Sequence, residues 1–302
     1  MFLELTEGNA GRFGEELLHF RHDLHTRPMF DDAGLAALLD AYPRERLGVF
    51  TMGEDPVDWR SWRCGRAGDL SGADLLAAVH AGRIWLNLRA ANDHVPDYAA
   101  LADEMFGAKE AVIPGLRTFK RDLGVLISSP DAQVFYHLDT PLVSLWQIRG
   151  EKTVRVYDRA ASFVEPRQIE GVVLRETAEQ LPFDPAWDHQ AATRVLQPGM
   201  MVTWPQNAPH RITNGPMVNV SLSLEFMTPA ALLRANVIYT NGLLRRRLGW
   251  TPAIQNAPDP RALVKFGAAR VAKALKINKE HGHILKPAFR LDARQPGELL
   301  GL

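Results

Sequence analysis

The stretch QVFYHLDTP carries a histidine and an aspartate one residue apart, His137 and Asp139. In a β-strand such residues project from the same face, so an imidazole and a carboxylate point at one spot. A third candidate, His210, lies in MMVTWPQNAPHRITNG, where a strand and a proline-rich turn deliver it just before the next strand. Two histidines and one carboxylate on one side of a metal leave the opposite side open. That donor set suits non-haem Fe(II), which a cosubstrate and O₂ must both reach. An H-x-D pair alone is weak, because a buried His-Asp hydrogen bond gives the same triplet. Lys152 strengthens it, fifteen residues after His137 and opening the apolar strand KTVRVYD just past Arg149-Gly150. A lysine there needs a partner, and the distal carboxylate of 2-oxoglutarate supplies one; the bland alternative is a surface lysine beside a turn.

Holding such residues together takes short strands. From about Leu123 the chain shows LGVLISS, QVFYHLD, LVSLWQI, KTVRVYD, TRVL, MMVTW, HRIT and MVNVSLSLEF, each bounded by turn residues. Asn214-Gly215 predicts a hairpin, and Arg149-Gly150 and Pro198-Gly199 predict further turns. Many short strands at this spacing predict a sandwich or barrel, hence a mainly β class with flanking α. Residues 158–192, with Pro166, Pro182 and Pro185, read as an irregular insert. Upstream the chain is mixed: Ser71 caps a helix over Ala73 to His80 that stops at Gly82, Ile84 to Leu88 reads as a strand, and Asp97 to Phe106 as a helix. Downstream, Thr228-Pro229 opens helical spacing over Ala230 to Leu248, which returns over Ala262 to Leu275. The expected division is a catalytic domain over 1–230 and a basic helical region over 231–302.

With 302 residues, 46% hydrophobic and 23% charged, the chain suffices for one large domain or two small ones. No apolar run of about 18 residues predicts a membrane span, and the first thirty residues do not read as a cleavable signal, so a cytoplasmic protein is expected. Cys64 is the one cysteine, closes no internal disulfide and has no base beside it in WRSWRCGR. A net charge of zero argues against a nucleic-acid binder. It hides an asymmetry: residues 1–230 carry 22 Lys+Arg against 31 Asp+Glu, net −9, and residues 231–302 carry 13 against 4, net +9. Docking of one part on the other is the simpler reading; an acidic partner or a nucleic-acid surface is the alternative. The tail's apolar positions Leu232, Leu233, Val237, Leu243, Leu244 and Leu248 need burial against the barrel or, in a homodimer, a second copy.

The stretch HLDTPLVSLWQIRGEKTVRVYD, followed by PGMMVTWPQNAPHRITN, resembles the JmjC and cupin-like family of Fe(II)/2-oxoglutarate oxygenases, in particular its asparaginyl hydroxylases of hypoxia-inducible factor. The resemblance implies a double-stranded β-helix (jelly-roll) barrel, iron on His137, Asp139 and His210, and Lys152 on the distal carboxylate of 2-oxoglutarate. Gln147, Ile148 and Gly150 match the family's Q-I-x-G-x-K run. In RIWLNL, Trp85 and Asn87 fall where relatives place cosubstrate-pocket residues. The likeness is good over about 100 of 302 residues. Two positions depart: Val134 stands where relatives carry a hydroxyl, three residues before the first metal histidine, and Trp85 replaces a tyrosine. Trp85 keeps an N–H donor, and Ser221 or Ser223 can contribute a hydroxyl.

Other candidates carry less. His19, His22 and His25 in LLHFRHDLHTR sit three and six apart, drift around a helix and lack a completing carboxylate. His189, His281 and His283 read as exposed loop residues. Trp146 and Trp204 flank the ligand strands, where core packing is as good an account as a substrate pocket. Arg245, Arg246 and Arg247 end a predicted helix, whose dipole favours positive charge there. The leading expectation is an oxygenase that hydroxylates a protein side chain or else a small metabolite, with lysine demethylation by the same step left open. A metal cupin working without 2-oxoglutarate competes with it, as does a non-catalytic regulatory protein whose tail meets a partner.

Overall fold

The computed structural model describes residues 1–254, 259–278 and 285–302. Its strands are β1 (Leu3–Glu7), β2 (Leu18–His22), β3 (Gly48–Thr51), β4 (Arg63–Arg66), β5 (Ile84–Leu88), β6 (Phe119–Ser128), β7 (Gln133–His137), β8 (Leu142–Arg149), β9 (Lys152–Val156), β10 (Ala192–Leu196), β11 (Met200–Thr203), β12 (His210–Asn214), β13 (Asn219–Met227), β14 (Phe289–Leu291) and β15 (Leu299–Gly301). The helices are α1 (Asp32–Ala41), α2 (Gly72–Ala81), α3 (Ala91–His94), α4 (Pro96–Val112), α5 (Pro166–Val173), α6 (Pro229–Leu248) and α7 (Pro260–Ala274). An eleven-stranded sheet runs β1-β2-β11-β8-β13-β6-β5-β3-β4-β14-β15, and a four-stranded sheet runs β10-β9-β12-β7.

Alternation along the strands explains why the sheets face each other. On β8, Val143 and Leu145 point into a core shared with Val154 and Val156 of β9, Leu196 of β10, Val202 of β11 and Ile212 of β12. Leu142, Trp146 and Ile148 point the other way, into the large core covered by Leu35, Leu75 and Phe106 from α1, α2 and α4. A strand apolar on both faces is a central strand, and β8 lies between β11 and β13. The result is two facing sheets of jelly-roll type, not a closed barrel.

The glycine turns prove to be corners. Gly150 (φ +73°) and Gly199 (φ +88°) take the left-handed conformation that glycine tolerates, and each turn carries the chain from one sheet to the other. The hairpin expected at Asn214-Gly215 is corrected likewise, since β12 and β13 belong to different sheets. There the Asn214 amide donates to Ser128 Oγ (2.9 Å) and the Ser129 carbonyl (2.7 Å), which redirects the chain.

The N-terminal region holds more β-structure than its pattern suggests. LLHFRH is a strand between β1 and β11, so the helical reading of the His19, His22 and His25 cluster is corrected. Leu18 and Phe20 are buried on one face, and period two outweighs the three-residue histidine spacing. α2 begins and ends as predicted, Ser71 and Asp74 closing a reciprocal cap.

The predicted C-terminal helices form, but the face they bury differs. Of the expected apolar positions on α6 only Val237 is fully buried, and Leu248 stays 57% exposed. α6 instead docks against α5 of the insert through charge. Arg245 Nε donates to Glu170 Oε2 at 2.8 Å, and Arg246 reaches Glu170 (3.4 Å) and Glu176 (2.5 Å). The arginine run is therefore a docking device for the insert as well as a favourable helix end. Glu170 has no exposed side-chain surface, whereas the guanidiniums remain about a quarter open. Glu170→Ala is expected to destabilise the protein by about 2–3 kcal/mol, below the range for fully buried pairs because water reaches the arginines. Urea unfolding followed by circular dichroism checks this; a loss under about 0.5 kcal/mol, the scale of ordinary surface changes, would make the contact incidental. Further along, β14 lies parallel on β4, with Phe289 only 1% exposed over Gly65. A Cβ at Gly65 would come within 2.3 Å of the Phe289 ring, so glycine there is a packing requirement.

Candidate metal centre

His137 ends β7 and His210 begins β12, and the two are directly paired across the ladder. Next along, Ile212 pairs with Val134: two residues advance on β12 and three on β7. That irregularity is a β-bulge, and it turns Val134 and His137 to the same side although an unbroken strand would alternate them. Val134 and His137 both line the cavity, while Tyr136 packs outward against Tyr157 and Phe183.

The ligand atoms of His137, Asp139 and His210 all lie within 4.8 Å of one another. His137 Nδ1 donates to the Phe135 carbonyl at 2.7 Å, and His210 Nδ1 to the Ala208 carbonyl at 3.0 Å. Since a carbonyl only accepts, each ring carries its proton on Nδ1 and turns the Nε2 lone pair inward. His210 Nε2 then stands 3.3 Å from Asp139 Oδ2, and His137 Nε2 3.9 Å from Asp139 Oδ1. Lone pairs converging without a donor between them repel, and a cation at their centre removes the conflict. Burial, helped by His137, holds His210 well below the ordinary histidine range, in the neutral form a metal takes. Burial also raises the Asp139 carboxyl, a penalty that a divalent cation reverses. The residues fit a metal ion.

The surroundings fix the ligands. The Asn207 amide donates to the Asp139 carbonyl at 2.8 Å, and Trp204 lies against the His210 ring with centroids 4.4 Å apart. Residues 158–192 return to β7: Leu138 N–H donates to the Glu179 carbonyl (3.3 Å) and Leu181 N–H to the Tyr136 carbonyl (2.9 Å). The insert is thus a wall of the site.

A cavity of about 120 Å³ opens in front of the three ligands, lined among others by Trp85, Asn87, Val134, Trp204 and Ser223. Lys152, Gln147 and Ser221 are not in its wall. Lys152 faces Asn214 across the ladder, two positions beyond the cavity-lining Ile212. It is 3% exposed, its ammonium has no hydrogen bond or ion pair among the described residues, and burial pulls its pKa down to about 7. Ser221 Oγ donates to Gln147 Oε1 at 2.7 Å, and Gln147 Nε2 donates to Asn219 Oδ1 at 2.7 Å. The candidates for a cosubstrate pocket therefore divide into three at the cavity and three buried behind it.

Arg89, Asp122, Glu179 and Glu225 also line the cavity and were missed from sequence. Arg89 pairs with Glu225 at 3.2 Å, and burial pushes Glu225 up to about 7. Two of them carried a signal. Glu225 continues the period of Ser221 and Ser223, and Arg89 that of Trp85 and Asn87. Of the set-aside residues, Trp146 belongs to the opposite core, His189 is exposed, and His281 and His283 lie outside the described residues.

No protein-family model matches the chain, and no curated protein sequence does. Solved structures do. The X-ray structure of Escherichia coli ycfD matches with a TM-score of 0.50 at 19% identity, over 94% of this chain and 71% of that one. The chain has the fold of YcfD. It is also the fold that the JmjC and cupin-like resemblance implied. A structure of YcfD, there called a ribosomal oxygenase, in complex with cobalt and 2-oxoglutarate matches at 17% identity over 90% of this chain and 68% of that one, with a TM-score of 0.48.

Proposed function

We propose that the protein is an Fe(II)- and 2-oxoglutarate-dependent oxygenase that hydroxylates a protein side chain, with a small metabolite as the next substrate class. The observation that carries this is the convergence of two Nε2 lone pairs and one carboxylate on a single point at the wall of a cavity. His137, Asp139 and His210 would hold the iron, which when bound couples O₂ and the oxidation of 2-oxoglutarate to oxidation of the substrate. Lys152 would receive the distal carboxylate of 2-oxoglutarate, with Gln147 and Ser221 beside it. Trp85, Asn87 and Ser223 would line the passage between. Trp204 and the insert exclude water from the metal side, which lets charged groups act strongly there. Asp122, Glu179 and Glu225 make the rim rich in acceptors, favouring a substrate group that donates hydrogen bonds. That YcfD is a ribosomal oxygenase agrees with a protein substrate. The apolar positions exposed on α7, Leu263, Val264, Val271 and Leu275, are a surface that a second copy would cover.

One observation favours the metal cupin that needs no 2-oxoglutarate: Lys152 stands behind the cavity wall instead of in it. The two readings separate in one experiment. Protein purified without oxygen and loaded with Fe(II) is expected to bind 2-oxoglutarate and, on aeration, to form succinate without added substrate. Iron binding with neither 2-oxoglutarate binding nor succinate would decide for the cupin.

A further inference from the structure

A second cavity, of about 310 Å³, lies across the 205–209 turn from the metal centre. Two guanidiniums, Arg159 and Arg234, share its wall with the apolar side chains of Val164, Ile169 and Ile254. Both arginines are tied to the turn: Arg159 Nη1 donates to the Gln206 carbonyl at 3.3 Å, and Arg234 Nε to Asn207 Oδ1 at 3.2 Å. The same Asn207 donates to the carbonyl of Asp139 at 2.8 Å, so the cavity stands one side chain behind a metal ligand.

Two like charges facing one partly apolar space are unfavourable unless something offsets them. Burial and the neighbouring Arg159 bring Arg234 down to about 10, and burial also lowers Arg159. Asp158 lines the cavity and acts in the opposite direction on Arg159, but it does not reverse the effect of burial. The space therefore favours a negatively charged ligand. We propose that the cavity between Arg159 and Arg234 binds a compact oxyanion, a carboxylate or phosphate group, whose oxygens bridge the two guanidiniums. Planar forked donors suit that ligand better than ammonium groups do. The group arrives either free, as an effector, or on an acidic side chain of a protein substrate.

The test uses full-length, metal-free protein, so it succeeds or fails independently of the iron reading. Inorganic phosphate and a triglutamate peptide are titrated in separate calorimetric experiments, and each variant's melting temperature is compared with and without probe, so a change in basal stability cancels. At least one probe is expected to bind saturably and raise the melting temperature. Arg159→Gln and Arg234→Gln are each expected to weaken binding about ten-fold, with part recovered in Arg159→Lys. Tighter binding of the peptide assigns the site to a substrate side chain; tighter binding of phosphate assigns it to a free effector. Absence of binding by both probes overturns the proposal. So does binding that Lys152→Ala removes and the arginine variants retain, since the probe would then occupy the metal-side cavity.

Discussion

Lys152→Met is expected to stabilise the fold and to abolish the response to 2-oxoglutarate. The lysine sits on an inward-facing strand position with 3% of its surface exposed and nothing to neutralise it. Its pKa in the fold is about 7 against an ordinary 10.5, a gap equivalent to about 5 kcal/mol of penalty on the charged form. The sign follows from proton counting. Between pH 7 and about 10.5 the unfolded chain binds more protons at this residue than the folded one, so wild-type stability rises with pH through that window. Methionine fills a similar volume without a charge, so the variant should be more stable at pH 7 and lose that rise. The same change deletes the one buried cation suited to the distal carboxylate of 2-oxoglutarate, and calorimetry should show a loss of binding of at least a hundred-fold. Lys152→Arg should rescue only in part, because a planar fork needs other geometry. An unchanged 2-oxoglutarate affinity in Lys152→Met would remove the lysine from the cosubstrate site.

Loss of any one ligand should be nearly as damaging to the metal. Alanine at His137 or His210 leaves two protein donors and is expected to cut bound Fe(II) or Co(II) to below about a tenth of the wild-type content under equal loading. Asp139→Ala keeps both imidazoles and should retain weak binding. The folds should survive, because each imidazole bonds a carbonyl only two residues away and carries no long-range contact. In the wild type, metal should raise the melting temperature with concentration, as for any ligand that binds only the folded state, and chelation should reverse it. Metal content by elemental analysis and circular dichroism at equal concentration check both halves. Wild-type metal content in His137→Ala would place the centre elsewhere.

Much of this is legible in the amino-acid sequence alone. The strands from Leu123 onward announce themselves because their alternation reflects a two-sheet core, and H-x-D on a strand fixes the direction of two ligands. What stays hidden there falls into three physical kinds. Short N-terminal strands such as LLHFRH hide because three histidines at helix-like spacing mask the alternation of Leu18 and Phe20. Turn residues specify a reversal but not its destination, so Asn214-Gly215 reads as a hairpin where the chain crosses between sheets. The depth of a side chain is a third matter: Lys152, Gln147 and Ser221 have the expected types and positions, yet only pairing register shows them behind the cavity wall. Glu179 lies in an insert without periodicity, and no local pattern could have assigned it to the site.

The parallel seam of β14 on β4 has a consequence for the order of folding. Residues 65 and 289 meet across most of the sequence, and such a contact closes late because its loop is long. Until then β4 is a bare strand edge beside Gly65, whose missing side chain leaves a slot shaped for a phenyl ring. The waiting intermediate is thus able to accept the same segment from another molecule. Refolding at high protein concentration should favour exchanged oligomers, and a chain cut at residue 230 should precipitate through that open edge.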